Sequence, residues 1–416
     1  MRSRRITIWR TAALALAAVL GLVLATSSSA GGQTFAVLYS FAGYPTDGAG
    51  PGGALLMDSS GNLFGTTTFG GNVNLTYCDQ AGYTGCGTVF KLDTNGVETV
   101  LHNFTGPDGS NPLSNLIMDA KGNFYGTAWY GGNLQDCVGN GAAGCGVVFK
   151  LSGEKETVLH RFTGGTDGAF PQAGLVMDSS GALYGAAPAG GSAGGGLVFK
   201  LVGKKETVLH SFTGGKDGNE PVSGLLLDAT GNLYGTDAYG GDIDCDYPSG
   251  CGVLFKLAGK QLSVLHSFKG PPDGEEPIAG VIMDAEGNLY GTTDRGGTYN
   301  AGTVFELSPS GKERVLHRFR VNYKVQHDGV KPDKAVVRDA QGNLYGTTEE
   351  GGPIGAGVVY EITAAGKEKI LHSFCSGECL DGAYPNGLIM DAEGNLYGTA
   401  SAGGTNGDGT IFKITP

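Results

Sequence analysis

The element G-N-L-Y-G-T occurs, with small variation, seven times in this chain, and that repetition restricts the fold more than any other feature. Its copies begin at Gly61, Gly122, Gly181 (with Ala182 in place of Asn), Gly231, Gly287, Gly342 and Gly394. Spacings of this size belong to propeller blades or solenoid units. Each unit contains four short apolar runs, typified by Gly-Leu-Ile-Met-Asp, Asn-Leu-Tyr-Gly-Thr, Gly-Thr-Val-Phe-Lys-Leu and Glu-Thr-Val-Leu-His-Ser-Phe, called here a, b, c and d. An Asp-Ala-x-Gly element joins a to b, and a short glycine-containing stretch joins c to d, both suited to tight reversals. Four strands per unit predict an all-β, seven-bladed β-propeller of antiparallel strands. Composition agrees: charged residues make up 16%, against the roughly 25% of an average globular chain, and the 76 glycines favour turns over helices.

Counting strands predicts how the ring closes. The seventh a-b-c set ends at Ile411-Phe412-Lys413-Ile414 with no d after it, whereas Thr34 to Phe41 reads as a strand d with nothing before it. The N-terminal run, about 34–41, is therefore expected to lie beside Phe412 and complete the last blade, which removes two open sheet edges. A blade alone buries too little, because its inner strands need a neighbour on each face. Residues 31–416 are expected to form one propeller.

Residues 1–30 carry Arg2, Arg4, Arg5 and Arg10, then an apolar run from Ala12 to Ala25 and the small residues Ser28-Ser29-Ala30. That order is read as a secretory signal peptide cleaved after Ala30; the alternative, an uncleaved anchor, has a run shorter than the ~20 residues of a span. Loss of four arginines takes the formal charge from -12 to -16. A protein so acidic is expected to avoid nucleic acid and anionic membranes. The expected product is a secreted or periplasmic monomer with no membrane span.

The combination G-N-L-Y-G-T, G-G, G-T-V-F-K-L, V-L-H-S-F and D-G-x-x-P, repeated from about Phe35 to Pro416, resembles the GloVer tandem-repeat proteins, a family with a choice of anchors. More distantly, Gly280 to Tyr290 is similar to strands a and b of NHL and SMP-30-like propellers. The resemblance implies a secreted or surface β-propeller and brings no particular chemistry with it.

Strand parity puts the a-b and c-d turns on one face and the b-c and d-a loops on the other. The first set is uniformly short. The second varies, which marks it as the functional face. Long b-c insertions in blades one, two and four contain Cys78 and Cys86, Cys137 and Cys145, Cys245 and Cys251, while Cys375 and Cys379 sit in one d-a loop. Pairs confined to single loops of an exported chain predict four local disulfides; thiol metal sites are the alternative.

Where the repeat breaks, candidate ligand contacts emerge. At the loop end of strand b stand Phe69, Trp129-Tyr130 and Tyr239, in the same blades that carry the insertions. They either pack beneath their own loops or form a platform for sugar stacking. Blades five and six place Asp294, Arg295, Glu349 and Glu350 at the same height, a set of carboxylates that could divide acid and base roles, and His327 lies in the adjoining loop. No catalytic residue is assigned. Asp242, Asp244 and Asp246 alternate as in calcium loops, although the EF-hand glycine and distal glutamate are missing; apart from calcium, no cofactor is expected.

Six histidines (His102, His160, His210, His266, His317, His372) share one slot in strand d, with Tyr39 in the seventh. Strand d lies three strand spacings, roughly 14 Å, outside strand a, so these histidines are read as structural. The same holds for Asp47, Asp108, Asp167, Asp217, Asp273, Asp328 and Asp381 of D-G-x-x-P, read as turn formers. There is no G-x-S-x-G, H-E-x-x-H or phosphate loop. The preferred function is binding of an extracellular glycan or protein on the insertion-bearing face. The alternatives are a hydrolase or lyase acting on polysaccharides or lactones through carboxylates at the channel mouth, and a structural surface protein.

Overall fold

The computed structural model describes residues 33–72, 78, 84–137, 143–242, 244–245, 248–320 and 328–415, with the backbone of Ser27–Ser28. The signal peptide reading therefore lies almost wholly outside the described residues. Among the described residues every regular element is a strand, and no helix is long and apolar enough to cross a membrane.

The strands form seven antiparallel sheets in a ring. Blade one is built from Leu56–Met57, Leu63–Gly70, Thr88–Leu92 and Glu98–Asn103, and the same order recurs around the ring. Blade seven takes Ile389–Met390, Leu396–Ala402 and Thr410–Thr415 from the C-terminus and Thr34–Ser40 from the N-terminus. Val37 pairs with Phe412 and Ser40 with Thr410. The seam is where the strand count put it.

Each position of G-N-L-Y-G-T answers a separate physical need. The first glycine closes the a-b turn with φ between +77° and +88° in all seven copies, a region that costs other residues strain. The asparagine bonds the turn aspartate, as in Asn62 Nδ2 to Asp58 at 2.7 Å, and the tyrosine hydroxyl donates to the same carboxylate, as in Tyr184 to Asp178 at 2.9 Å. The leucine is core. At the second glycine, a β-carbon on Gly65, Gly126, Gly185, Gly235, Gly291 or Gly398 would come within 2.5 to 2.7 Å of the phenylalanine ring of strand c. The threonine hydroxyl reaches a carbonyl of the next blade, as in Thr236 to Ala279 at 2.8 Å.

Blades meet through inclined aromatic pairs. The phenylalanine after each strand d packs on the strand c ring of the following blade: Phe41 on Phe90, Phe104 on Phe149, Phe162 on Phe199, Phe212 on Phe255, Phe268 on Phe305, Phe319 on Tyr360 and Phe374 on Phe412, with centroids 5.0 to 5.4 Å apart. All seven interfaces use this contact, those on either side of blade seven included. The rings are almost wholly buried.

The histidine slot has a structural task. Its Nε2 faces the aspartate of the following D-G-x-x-P loop at 3.0 Å in His102–Asp108, 3.2 Å in His210–Asp217 and 2.9 Å in His372–Asp381, and Tyr39 does the same to Asp47 at 2.8 Å. Five of these clasps are approached by the first glutamate in strand d of the next blade: Glu98, Glu156, Glu206, Glu313 and Glu368. Burial, followed by the charge of the neighbouring aspartate, pushes Glu98 up to about 8 and Glu206 up to about 7. In the other two interfaces Leu262 and Phe35 occupy that position, and Phe35 stacks on His372 at 3.7 Å.

A carboxyl whose pKa is raised on folding stabilises fully below its unfolded value, near 4.5, and that contribution is lost as pH rises through the folded value, here about 8 for Glu98. Glu98→Gln keeps the neutral form at every pH. The variant is expected to gain melting temperature relative to wild type between pH 5 and pH 8.5, measured by calorimetry; a constant difference across that range would contradict the burial of Glu98 in the clasp.

Candidate functional site

The face that carries the insertions gets its geometry from the loop between strands d and a. In every blade the residue before the proline of D-G-x-x-P has positive φ: Gly50, Asn111, Phe170, Glu220, Glu276, Lys331 and Tyr384, at 53° to 61°. Bulky residues rarely adopt this conformation, and backbone bonds hold it. The amide of Lys331 donates to Ala301 of the preceding blade at 3.0 Å, and its carbonyl accepts from Glu349 at 2.9 Å; Glu276 is held in the same way by Cys251 and Asp294. The rim thus has a fixed backbone, while its side chains are free to differ.

Inside this rim lies the central channel, a cavity of about 1050 Å³ walled by the strand a segments of all seven blades. Most of the wall is small or apolar. Aromatic rings line its mouth at Phe69, Tyr239 and Tyr384. One quadrant breaks the pattern: Asp333 and Lys334 stand where other blades have Leu113-Ser114, Gln172-Ala173, Val222-Ser223 or Ile278-Ala279.

Asp333 and Lys334 pair with each other, and Asp333 Oδ1 is buried with no hydrogen-bond partner among the described residues. Asp294, at the end of strand b in blade five, is only 8% exposed. Burial, then the charges of Asp333 and Glu276, raise its carboxyl to about 6, against the opposing pull of Lys331 and Arg295. Arg295 bonds Glu276 at 3.2 Å and lies 3.8 Å from Asp294. Lys331 takes Glu350 at 2.5 Å and Glu349 at 3.7 Å. Asp294 therefore keeps company with Asp333 and Glu276, while the two glutamates of blade six share one lysine.

The other candidates fall in several places. Phe69 and Tyr239 line the channel mouth. Trp129 stacks on Tyr130 at 4.7 Å, and Tyr130 meets Phe170 of the next loop edge-on at 5.6 Å; neither lines the cavity. The four expected disulfides are formed, Cys78–Cys86, Cys137–Cys145, Cys245–Cys251 and Cys375–Cys379. The amide of Asp244 donates to the Asp242 carboxylate at 3.2 Å, whereas Asp246 and His327 lie outside the described residues. In blade four, Asp237 replaces the threonine or alanine of other blades; it is fully buried, and burial followed by the charge of Asp217 holds its carboxyl well above the usual range.

Sequence reasoning missed Glu276, Lys331, Asp333 and Lys334. The signal was present, because Pro332-Asp333-Lys334 interrupts a series of small and apolar residues after the same proline in other blades. Attention to strand b alone overlooked the loop that meets it.

A closed seven-bladed ring with one decorated face defines a repeat-built β-propeller. The chain belongs to the Gloeobacter/Verrucomicrobia repeat family, whose family model matches residues 136–324 and 246–416. No curated protein matches it significantly. Among solved structures, an oligogalacturonate lyase from Vibrio parahaemolyticus is similar with a TM-score of 0.53 at 10% identity, over 94% of this chain and 95% of that one. A putative 6-phosphogluconolactonase from Bacteroides fragilis gives 0.47 at 16% identity over 78% and 86%, and a gluconolactonase from Xanthomonas campestris 0.44 at 13% over 92% and 90%. At such identities the likeness shows a shared fold.

Carbon-detected NMR of labelled carboxylates tests the quadrant. Asp294 is expected to titrate with a midpoint near 6, and Asp333→Asn should move that midpoint down by removing a neighbouring negative charge. An unchanged midpoint would contradict the proximity of the two acids.

Proposed function

We propose that this chain is an exported β-propeller that binds an oligosaccharide at the mouth of its central channel. The observation that carries the reading is the asymmetry of that mouth: Phe69, Tyr239 and Tyr384 line it, with Asp333 and Lys334 on one side and Glu220 on another. Aromatic faces suit the apolar side of a sugar ring, and a few fixed polar groups suit its hydroxyls. Size favours several rings over one, since about 1050 Å³ is at the upper end of the roughly 300–1,000 Å³ typical of small-molecule pockets. Charge favours a neutral sugar, because a mature chain near -16 repels long polyanions. Four disulfides fit an oxidising compartment, where extracellular glycans are met.

A second reading has one observation of its own. Asp294, raised to about 6 beside Asp333, is the kind of carboxyl pair whose members divide acid and base roles near neutral pH. In that case the bound sugar would be turned over, with Asp294 as the proton donor.

One experiment separates the two. The mature protein is applied to a glycan array, and any glycan retained is then incubated with it and analysed for cleavage. The binding reading predicts retention without products, with affinity falling at least about tenfold in Phe69→Ala/Tyr239→Ala, the loss expected for two stacking rings. Products whose formation is lost in Asp294→Asn would favour the catalytic reading. Absence of any retained glycan would overturn both as stated.

A further inference from the structure

The outer clasps are not equivalent, and one is open. Four His–Asp pairs close to between 2.9 and 3.2 Å; His160 stands 3.5 Å from Asp167, its Nε2 also without a hydrogen-bond partner among the described residues. Between blades five and six the distance is 3.9 Å from His317 Nε2 to Asp328 Oδ1, and Glu368 Oε1 from the neighbouring strand d stands 3.6 Å from the same nitrogen. The three donor atoms lie within 4.8 Å of one another, the sole grouping of this kind among the described residues. His317 Nε2 and Glu368 Oε1 are both buried, and neither has a hydrogen-bond partner among the described residues.

We propose that His317, Asp328 and Glu368 form a binding site for a divalent transition-metal ion of the zinc class, which joins blade five to blade six. The site is independent of the channel and of any ligand bound there. Three lines of chemistry support it. An ion bonded at about 2.0 to 2.2 Å to one nitrogen and two oxygens needs donors somewhat more than 3 Å apart, which requires only a small contraction here. No other clasp brings three such donors within 4.8 Å of one another among the described residues. A dication also offsets the repulsion between the Asp328 and Glu368 carboxyls in a half-buried crevice and gives His317 Nε2, which is without a hydrogen-bond partner among the described residues, a ligand bond.

The neighbouring clasps show what is special. His210 and His372 have no third donor, since Leu262 and Phe35 replace the glutamate. The histidines are too far apart to share an ion among themselves, as strand spacing indicated. Strand spacing did not show that a carboxylate from the next strand d closes the gap. The imidazole favours zinc-type ions over calcium or magnesium, which prefer all-oxygen sites. Thiols do not compete, because the described residues contain no free cysteine.

The test uses the mature chain, stripped with chelator and titrated with zinc alone at pH 7.5. Calorimetry is expected to give one equivalent per chain, and saturating zinc to raise the melting temperature by about 2 °C or more. Both effects should be lost in His317→Gln and in Glu368→Gln, and kept in His210→Gln, whose clasp lacks a glutamate. Melting of each variant without metal shows that it is folded, and the smaller change Glu368→Asp keeps a carboxylate should Gln fail to fold. No zinc uptake by wild type, equal uptake by the His317 and Glu368 variants, or calcium binding as tight as zinc would each overturn the proposal.

Discussion

One contact underlies the whole molecule: an aromatic ring of strand c crosses a glycine of strand b and meets, at an incline, the phenylalanine that ends strand d of the preceding blade. A four-stranded blade has no core of its own, so its stability depends on what the neighbours cover. Burial of each such side chain contributes roughly 1.5 to 3 kcal/mol, and inclined aromatic pairs add about 0.5 to 1.5 kcal/mol beyond area. With seven interfaces of nearly the same geometry, the ring is strong only when closed. Closure is the task of Thr34–Ser40.

A uniform ring leaves freedom where the blades do not touch. The backbone amide of each of the rim residues Phe170, Glu276, Lys331 and Tyr384 donates to a carbonyl of the preceding blade, so they occupy one conformation with unrelated side chains. Function can then vary without cost to the fold. Blades five and six have used that freedom most, acquiring Asp333 and Lys334 in the channel wall, Glu276, Asp294, Arg295 and Lys331 on the rim around them, and the open clasp at His317 on the outside. Blade six even replaces the strand c phenylalanine with Tyr360, whose buried hydroxyl has no partner among the described residues.

What could be read from the sequence follows a physical division. Positions of G-N-L-Y-G-T were legible because each meets a need set by its own blade and repeated seven times. The seam at Val37 and Phe412 was legible because an unpaired strand at one end matches a missing one at the other, and Cys78 with Cys86 because both lie in one loop. Asp294 and Glu349 stood out as breaks in the repeat, but their partners did not: Lys331 reaches Glu350 across 19 residues, and nothing local announces it. The approach of Glu98 to Tyr39 and Asp47 was hidden for the same reason, because it joins strands of neighbouring blades that alternation and turn chemistry describe one at a time.

The account rests on the N-terminal strand closing the ring against the last one. A double-mutant cycle between Phe35 and Phe412, whose rings stack across that seam with centroids 5.6 Å apart, with each ring replaced by leucine singly and together, measures this most directly when set beside the same cycle for Phe162 and Phe199. Coupling at the seam of about 0.5 to 1.5 kcal/mol, like that of the mid-ring pair, is the predicted result. Coupling at the seam that falls to zero while the mid-ring pair keeps its own would show that the circle is not closed, and would contradict the account.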